Sequence, residues 1–284
     1  MPTNAEFFPF LKNQDVIVYN NIAAILKAQF SEIGELTALT LEQAEDYVER
    51  TDTKFRKVLD FNMKKAVHNI LGEFPNTTDH GVLGRLIAGE PRTPNLQLYW
   101  LIADNLSDGD FFVSLNYDIL LDLGILSRYR SVSYEAMGTL ESPNRNSPTV
   151  KVFKPHGSLN WDRQNNLSSF VVSPSEISIA TRLSVVRDER LLGIWSEATF
   201  QLRLADELVI IGSSLSTQDA HLMDFLGFWK QRSHESRTTT KIVCMGPELR
   251  SHYDAVFQGY DGDVQFLDTG FNERAIPFIV SGQS

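Results

Sequence analysis

The chain has 284 residues, 42% of them hydrophobic and 22% charged, an ordinary globular composition with room for one large α/β domain or two smaller ones. A formal charge of -10 and a pI near 5.1 argue against a primary nucleic-acid surface and against attraction to anionic membranes. The single cysteine excludes an internal disulfide and any four-cysteine zinc module.

No apolar run approaches the roughly 20 residues of a membrane-spanning helix. Residues 1–13 lack the basic-then-apolar order of a secretory signal. A cytoplasmic, metal-independent protein is the expectation.

From about residue 20 to 106 the pattern is helical. Leu41, Ala44 and Val48, then Phe55, Leu59, Met63, Val67, Ile70 and Leu71, recur at three- and four-residue steps. Thr40 ahead of Glu42 and Gln43 reads as a helix start, and Gly34 falls inside the helical stretch. Residues 74–78 break the run, 89–94 read as a turn, and an apolar helix follows over 96–103.

After Asp110 strands and helices alternate. Strand-like runs fall at 111–115, 150–154, 170–172, 208–211, 242–245 and 264–267, with helical stretches at 117–126, 191–205 and 220–231. Continuous Val/Ile/Phe runs separated by helices predict a Rossmann-like parallel sheet covered by helices. The Ser/Pro/Asn-rich stretch 141–148 reads as a surface loop, and Cys244 as an inert thiol in a core strand. The fold class is therefore α/β in a single domain over 1–284, with a helical subregion (20–106) and a Rossmann-like part (107–284).

Two segments end apolar runs abruptly in chemically capable side chains: Phe111-Phe112-Val113-Ser114-Leu115-Asn116-Tyr117-Asp118 and Val152-Phe153-Lys154-Pro155-His156-Gly157-Ser158-Leu159-Asn160. Ligands of open α/β sheets bind at such carboxyl ends of strands. Asn116 offers an amide whose polar atoms need partners. Asp118 is either a ligand-site carboxylate or simply a cap for the helix that follows.

His156 stands between a proline, which pins the backbone, and a glycine, which relaxes it. Imidazole is the natural base near neutral pH, although a lone histidine is more often structural. His68, His80, His221, His234 and His252 lack that combination of strand end and glycine. A third strand opens into Gly212-Ser213-Ser214-Leu215-Ser216, a turn whose N–H groups and hydroxyls suit a phosphate or ribose. No GxGxxG occurs. The residues alone describe a nucleotide-sized cleft with a histidine base.

The three segments, in this order, resemble the SIR2-like family. Ser114-Leu115-Asn116-Tyr117-Asp118 is similar to its T-T-N-Y-D segment, and Lys154-Pro155-His156-Gly157-Ser158 to its K-L-H-G-S segment with the catalytic histidine. Residues 208–215 resemble the late strand–G-x-S-L segment that contacts NAD, and Trp195, Ala198 and residues 204–207 the helix leading into it. The resemblance spans about residues 96–267. Sirtuin deacetylases carry a four-cysteine zinc module that this chain cannot build, so the closer likeness is to zinc-free bacterial SIR2-like NAD+ hydrolases of antiphage defence.

The family's first strand and G-A-G-x-S loop have no counterpart. Residues 1–8 resemble what normally follows that loop, so the expectation is a start about one strand and one loop late, through an internal methionine or a degraded copy. Losing a central strand is expected to leave sheet edges and apolar side chains uncovered.

The resemblance implies an NAD+ glycohydrolase with NAD+ as substrate and no metal. Asn116, Asp118 and His156 become the expected catalytic residues. Ser114, Asn116, Gly157, Gly212, Ser213 and Ser214 become the expected nucleotide contacts. It also implies a homo-oligomer or a neighbouring defence protein as partner, without direct nucleic-acid or membrane binding. Two alternatives stay open: a non-catalytic NAD+ or ADP-ribose-binding module, and an NAD-dependent protein deacylase.

Overall fold

A computed structural model describes residues 6–71, 94–128, 130–135, 137–142, 148–162, 177–179, 189–213, 215–217, 219–246 and 248–280. The strand expected over 170–172, the break at 74–78, nearly all of the turn at 89–94, the interior of the 141–148 loop and Ser214 lie outside these residues.

Helices open the chain earlier than the sequence pattern suggested: α1 (Phe7–Gln14), α2 (Val16–Gln29), α3 (Leu41–Arg50) and α4 (Thr53–Leu71). Gly34 sits in the connection after α2, outside any helix. Thr40 starts α3 through a capping box: its hydroxyl accepts the Gln43 N–H at 3.1 Å, and the Gln43 amide oxygen accepts the Thr40 N–H at 2.9 Å. Such a pair satisfies two otherwise orphaned donors and is worth about 1 kcal/mol.

Asp15 caps α2 by accepting the Val18 N–H at 3.0 Å, while its other oxygen accepts from Asn69 of α4 at 2.8 Å. One side chain thus stops one helix and ties it to another. The helices share a core of Phe7, Phe8, Leu11, Ile22, Leu26, Leu36, Ala44, Leu59 and Met63. Phe55, although in step with Leu59 and Met63, is exposed. A fifth helix, α5 (Pro94–Asp104), leads into the sheets.

The strands are β1 (Phe111–Val113), β2 (Ser131–Tyr134), β3 (Gly138–Leu140), β4 (Thr149–Phe153), β5 (Gly157–Asp162), β6 (Ile177–Ile179), β7 (Glu207–Ile211), β8 (Thr239–Cys244) and β9 (Asp263–Asp268). Between them run α6 (Leu120–Ser127), α7 (Glu189–Leu202), α8 (Ala220–Ser233) and α9 (Glu248–Val256), and α10 (Ile276–Val280) closes the described chain. The class is α/β, as expected.

The sheet is divided. β1, β4 and β2 pair in parallel with β3 added antiparallel, in the order β1-β4-β2-β3; β7, β8 and β9 form a second, wholly parallel sheet. β5 and β6 make a separate antiparallel pair. The strands that sequence reading did not find, β2, β3, β5 and β6, are short or polar on one side, so they carry no continuous apolar run.

The mixed sheet and the parallel one share one core, which includes Val152 and Phe153 of β4 and Ile210 and Ile242 of the other sheet. Phe112 of β1 packs on the same cluster as Val209 and Ile211 of β7, around Ile102, Val243 and Ile276. Among the described residues β1 and β7 each lack a strand neighbour on one side. Phe111, Phe112 and Val113 are accordingly only half-buried, whereas Val152 and Ile242 on the paired strands are fully enclosed.

Gly124 lets α6 lie against α5: a Cβ there would meet the Tyr99 Cβ at 2.4 Å. No helix among the described residues is long and apolar enough to cross a membrane.

Candidate active site

β1 and β4 are parallel neighbours whose carboxyl ends lie side by side, and the His156–Asp219 contact joins the segment after β7 to them. β1 runs into Ser114–Asp118, β4 into Lys154-Pro155-His156, and β7 into Gly212-Ser213. These are the carboxyl ends of parallel strands, where α/β sheets place ligands.

The turn after β1 is held from beneath. The Ser114 N–H still donates to Phe153 O at 2.8 Å, so pairing with β4 outlasts the strand by one residue. Asn116 is exposed, and water can satisfy its amide; its backbone oxygen lies 3.5 Å from the Ser114 hydroxyl. Asp118 is buried and accepts the Leu120 N–H at 3.0 Å through one oxygen. Its other oxygen has no hydrogen-bond partner among the described residues. Burial, the dominant cause, pushes this carboxyl above the usual carboxylate range; nearby Asp122 adds to it, and Lys154 and the Leu120 N–H oppose it. Asp118 thus bonds the first N–H of α6 from one residue before its N-cap, Ile119, which makes no side-chain cap bond of its own.

Lys154 is wholly buried. Its ammonium donates to the Asp118 carbonyl and to the Ser158 hydroxyl at 3.0 Å, and pairs with Asp122 at 2.8 Å. The Tyr134 hydroxyl donates to the other Asp122 oxygen. Asn160 approaches that hydroxyl at 3.4 Å. Burial foremost, with the Asp122 charge, holds Tyr134 well above the ordinary phenol range. Tyr99 shifts upward too, through burial and the charges of Asp118 and Asp122. This network joins the end of β4 to the turn after β1 and to α6.

His156 is half-buried, and its Nε2 lies 3.0 Å from Oδ2 of Asp219. Asp219 is the N-cap of α8, its Oδ1 accepting the Leu222 N–H at 3.0 Å. One carboxylate thus caps a helix of the second sheet and holds the histidine of the first. Trp195 of α7 meets the His156 ring edge-on at 6.0 Å and stacks with His221 at 6.1 Å. The Tyr117 ring is a further neighbour of His156, tilted at 6.5 Å between centroids.

Gly157 adopts φ 88°, a left-handed conformation that turns the chain into β5 directly after the histidine. Its N–H donates to Lys154 O at 2.9 Å. Two residues on, Leu159 enters the core of the N-terminal helices, so those helices press on the back of the site.

The turn after β7 is also self-bonded. Gly212, at φ 62°, donates its N–H to Val243 O at 3.0 Å, so that group is already engaged. The Ser213 hydroxyl accepts the Leu215 N–H at 3.2 Å, and the Ser213 carbonyl accepts from the Tyr253 hydroxyl. His252 Nε2 approaches Leu215 O at 3.2 Å. Leu215, a buried non-glycine residue, takes a left-handed φ of 47°.

The structure brings His156 together with the turn after β1 and the start of α8, while the turn after β7 leads toward Asp219. Sequence reading missed Asp219 and Trp195 as neighbours of His156, and His221 as the ring stacked on Trp195. Asp219 carried a visible signal, an aspartate directly before an apolar helix, but its pairing with a residue 63 positions earlier is a tertiary fact. Among the described residues no group of three or more His, Cys, Asp or Glu side chains is placed to hold a metal ion. No family model matches this chain, and no curated protein sequence matches it.

Proposed function

We propose that this protein is an NAD+ glycohydrolase that cleaves NAD+ to nicotinamide and ADP-ribose. The observation that carries the reading is His156, bonded to a carboxylate and set at the end of a parallel strand beside the turn that holds Asn116 and Asp118. The ordered likeness of the three segments to the SIR2-like family supplies the identity of the ligand.

The chemistry asks little of a protein. Nicotinamide leaves NAD+ as a neutral molecule from a cationic ring, so no acid is needed, and the transition state is oxocarbenium-like. The ribose C1′–N bond breaks with its electron pair going to the ring nitrogen. A water oxygen then bonds to C1′ and gives up a proton. His156 takes that proton, directly or through a ribose hydroxyl.

Asn116, exposed at the turn, orients the ribose hydroxyls or the water. Asp118 shapes the turn through Leu120 and, when ionised, favours the developing positive charge. By the family resemblance Ser114, Gly157, Gly212 and Ser213 contact the nucleotide. By the same resemblance the activity serves antiphage defence, held silent in a homo-oligomer or by a neighbouring protein until triggered.

The test is incubation of the purified chain with NAD+ while nicotinamide release is followed. A His156→Ala or Asn116→Ala protein that turned over NAD+ at the wild-type rate would refute the assigned roles. A second reading, a non-catalytic NAD+ or ADP-ribose-binding module, draws on the engagement of the Gly157 and Gly212 N–H groups with chain carbonyls. It predicts ligand-dependent stabilisation without turnover. Nicotinamide release that required an acylated peptide would indicate a deacylase instead.

A further inference from the structure

We infer that Asp219 is the positioning residue of His156: it holds the neutral imidazole in the Nε2–H tautomer and leaves Nδ1 as the basic atom. The inference rests on the hydrolase reading for its catalytic consequence, but its structural half stands without it.

The geometry is specific. Asp219 divides its oxygens, Oδ1 to the Leu222 N–H at 3.0 Å and Oδ2 to His156 Nε2 at 3.0 Å. The first bond fixes the carboxylate to the start of α8, so the second oxygen has a set direction. An ionised carboxylate only accepts hydrogen bonds, so the shared proton sits on the imidazole nitrogen that faces it. In the neutral ring the other nitrogen then carries the lone pair. No hydrogen bond to Nδ1 is present among the described residues.

The ring also has two aromatic neighbours, Trp195 at 6.0 Å and Tyr117 at 6.5 Å. Trp195 is itself fixed against His221 and Phe225 of α8. The helix that supplies the carboxylate thus also supplies the packing that orients the ring. Because α8 follows the Gly212-Ser213 turn, the histidine of one sheet is aimed by the nucleotide-facing segment of the other.

A purely structural role for Asp219, as a cap and nothing more, makes a different prediction. Asparagine and serine cap helices about as well as aspartate, so Asp219→Asn and Asp219→Ser leave α8 capped while removing the carboxylate. In Asp219→Asn the amide oxygen keeps the Leu222 bond and the NH2 group faces Nε2 as a donor. That arrangement drives the neutral ring to the Nδ1–H tautomer and occupies the wrong nitrogen.

The experiment is 15N NMR of histidine-labelled full chain, with the His156 signals assigned by their loss in His156→Gln, alongside nicotinamide release from NAD+. The expected result is an Nε2–H ring in the wild type and an Nδ1–H ring in Asp219→Asn. In Asp219→Ser the tautomer preference is lost. Both variants melt within a few degrees of wild type, and their kcat falls roughly 10- to 100-fold with KM little changed, a part of what a general base contributes.

A wild-type ring protonated on Nδ1, or a tautomer indifferent to both substitutions, overturns the inference. If either variant fails to fold, the wild-type spectrum and the other variant still decide it. A wild-type protein that shows the Nε2–H ring but releases no nicotinamide sinks the hydrolase reading and leaves the positioning of His156 intact.

Discussion

Lys154 and Asp122 form an ion pair at 2.8 Å with neither side chain exposed beyond 1%. The pair lies directly under the candidate site, because Lys154 precedes His156 by two residues and also holds the Asp118 carbonyl. Taking two charges out of water is expensive, so such a pair stabilises little compared with an apolar one, yet breaking it is severe.

Lys154→Met is therefore expected to destabilise the protein by about 3–5 kcal/mol, since Asp122 is left charged and buried. The double variant Lys154→Met with Asp122→Leu should recover most of that loss. It remains roughly 1–3 kcal/mol below wild type because the Tyr134 hydroxyl loses its acceptor. Urea unfolding of the two variants checks both values; a double variant no better than the single one contradicts the account.

Asp118→Asn should stabilise the protein and slow nicotinamide release together. Burial raises the Asp118 carboxyl above its ordinary value of 3.8, so the folded state binds its proton more tightly than the unfolded chain. Stability from this group is fully present below about pH 3.8 and is lost as pH rises through the folded value. The asparagine, which keeps an oxygen for the Leu120 N–H, escapes that loss. The gain, about 1 kcal/mol, should be larger at neutral pH than at or below pH 3.8, where the carboxyl is protonated in both states, in paired melting curves.

Tyr253 gives an alkaline signature. Its hydroxyl donates to Ser213 O, and burial, with the Cys244 thiol adding, pushes it from 10.0 up to about 12. The folded state therefore keeps a proton that the unfolded chain releases. Stability from this group is present below pH 10 and is lost as pH climbs toward about 12. Tyr253→Phe should lower stability at pH 8 and remove part of the fall between pH 10 and 12, as read from denaturant midpoints across that range.

The turn after β7 separates backbone strain from packing. Gly212 has φ +62°, and a Cβ added there would meet nothing within 4 Å, so Gly212→Ala costs only the left-handed conformation, about 1–2 kcal/mol. Leu215 has the same backbone sign but is buried. Leu215→Gly relieves roughly 1–2 kcal/mol of strain and forfeits at least the roughly 2–5 kcal/mol typical of truncating a buried leucine, so it should destabilise on balance. A stabilised Leu215→Gly protein in thermal melts would contradict the burial of that side chain.

Much of the fold was legible because the responsible signals are local. The apolar runs ending at Val113, Phe153 and Ile211 are strands, and Thr40 with Gln43 starts a helix as its hydroxyl and spacing demand. The division into a mixed sheet and a parallel one was not legible. Continuous apolar runs look alike whether a strand has one neighbour or two, and only the pairing shows β1 and β7 at edges. β5 was missed because its apolar face is only two residues long, Leu159 and Trp161 alternating with buried Ser158 and Asn160, so no continuous apolar run marks it.

The site divides the same way. Sequence alone determined which chemistry is present: an imidazole after Pro155, an amide and a carboxylate after β1, a glycine turn after β7, and too few cysteines for a zinc module. The tertiary structure decided what each group is free to do. It buried Asp118 with one oxygen on the Leu120 N–H, engaged the Gly212 N–H with Val243, and set Asp219 beside His156 across 63 positions. Residue type sets the possible donors, acceptors and charges, while burial and the partner already bonded decide which remain for a ligand, and both depend on contacts far apart in the chain.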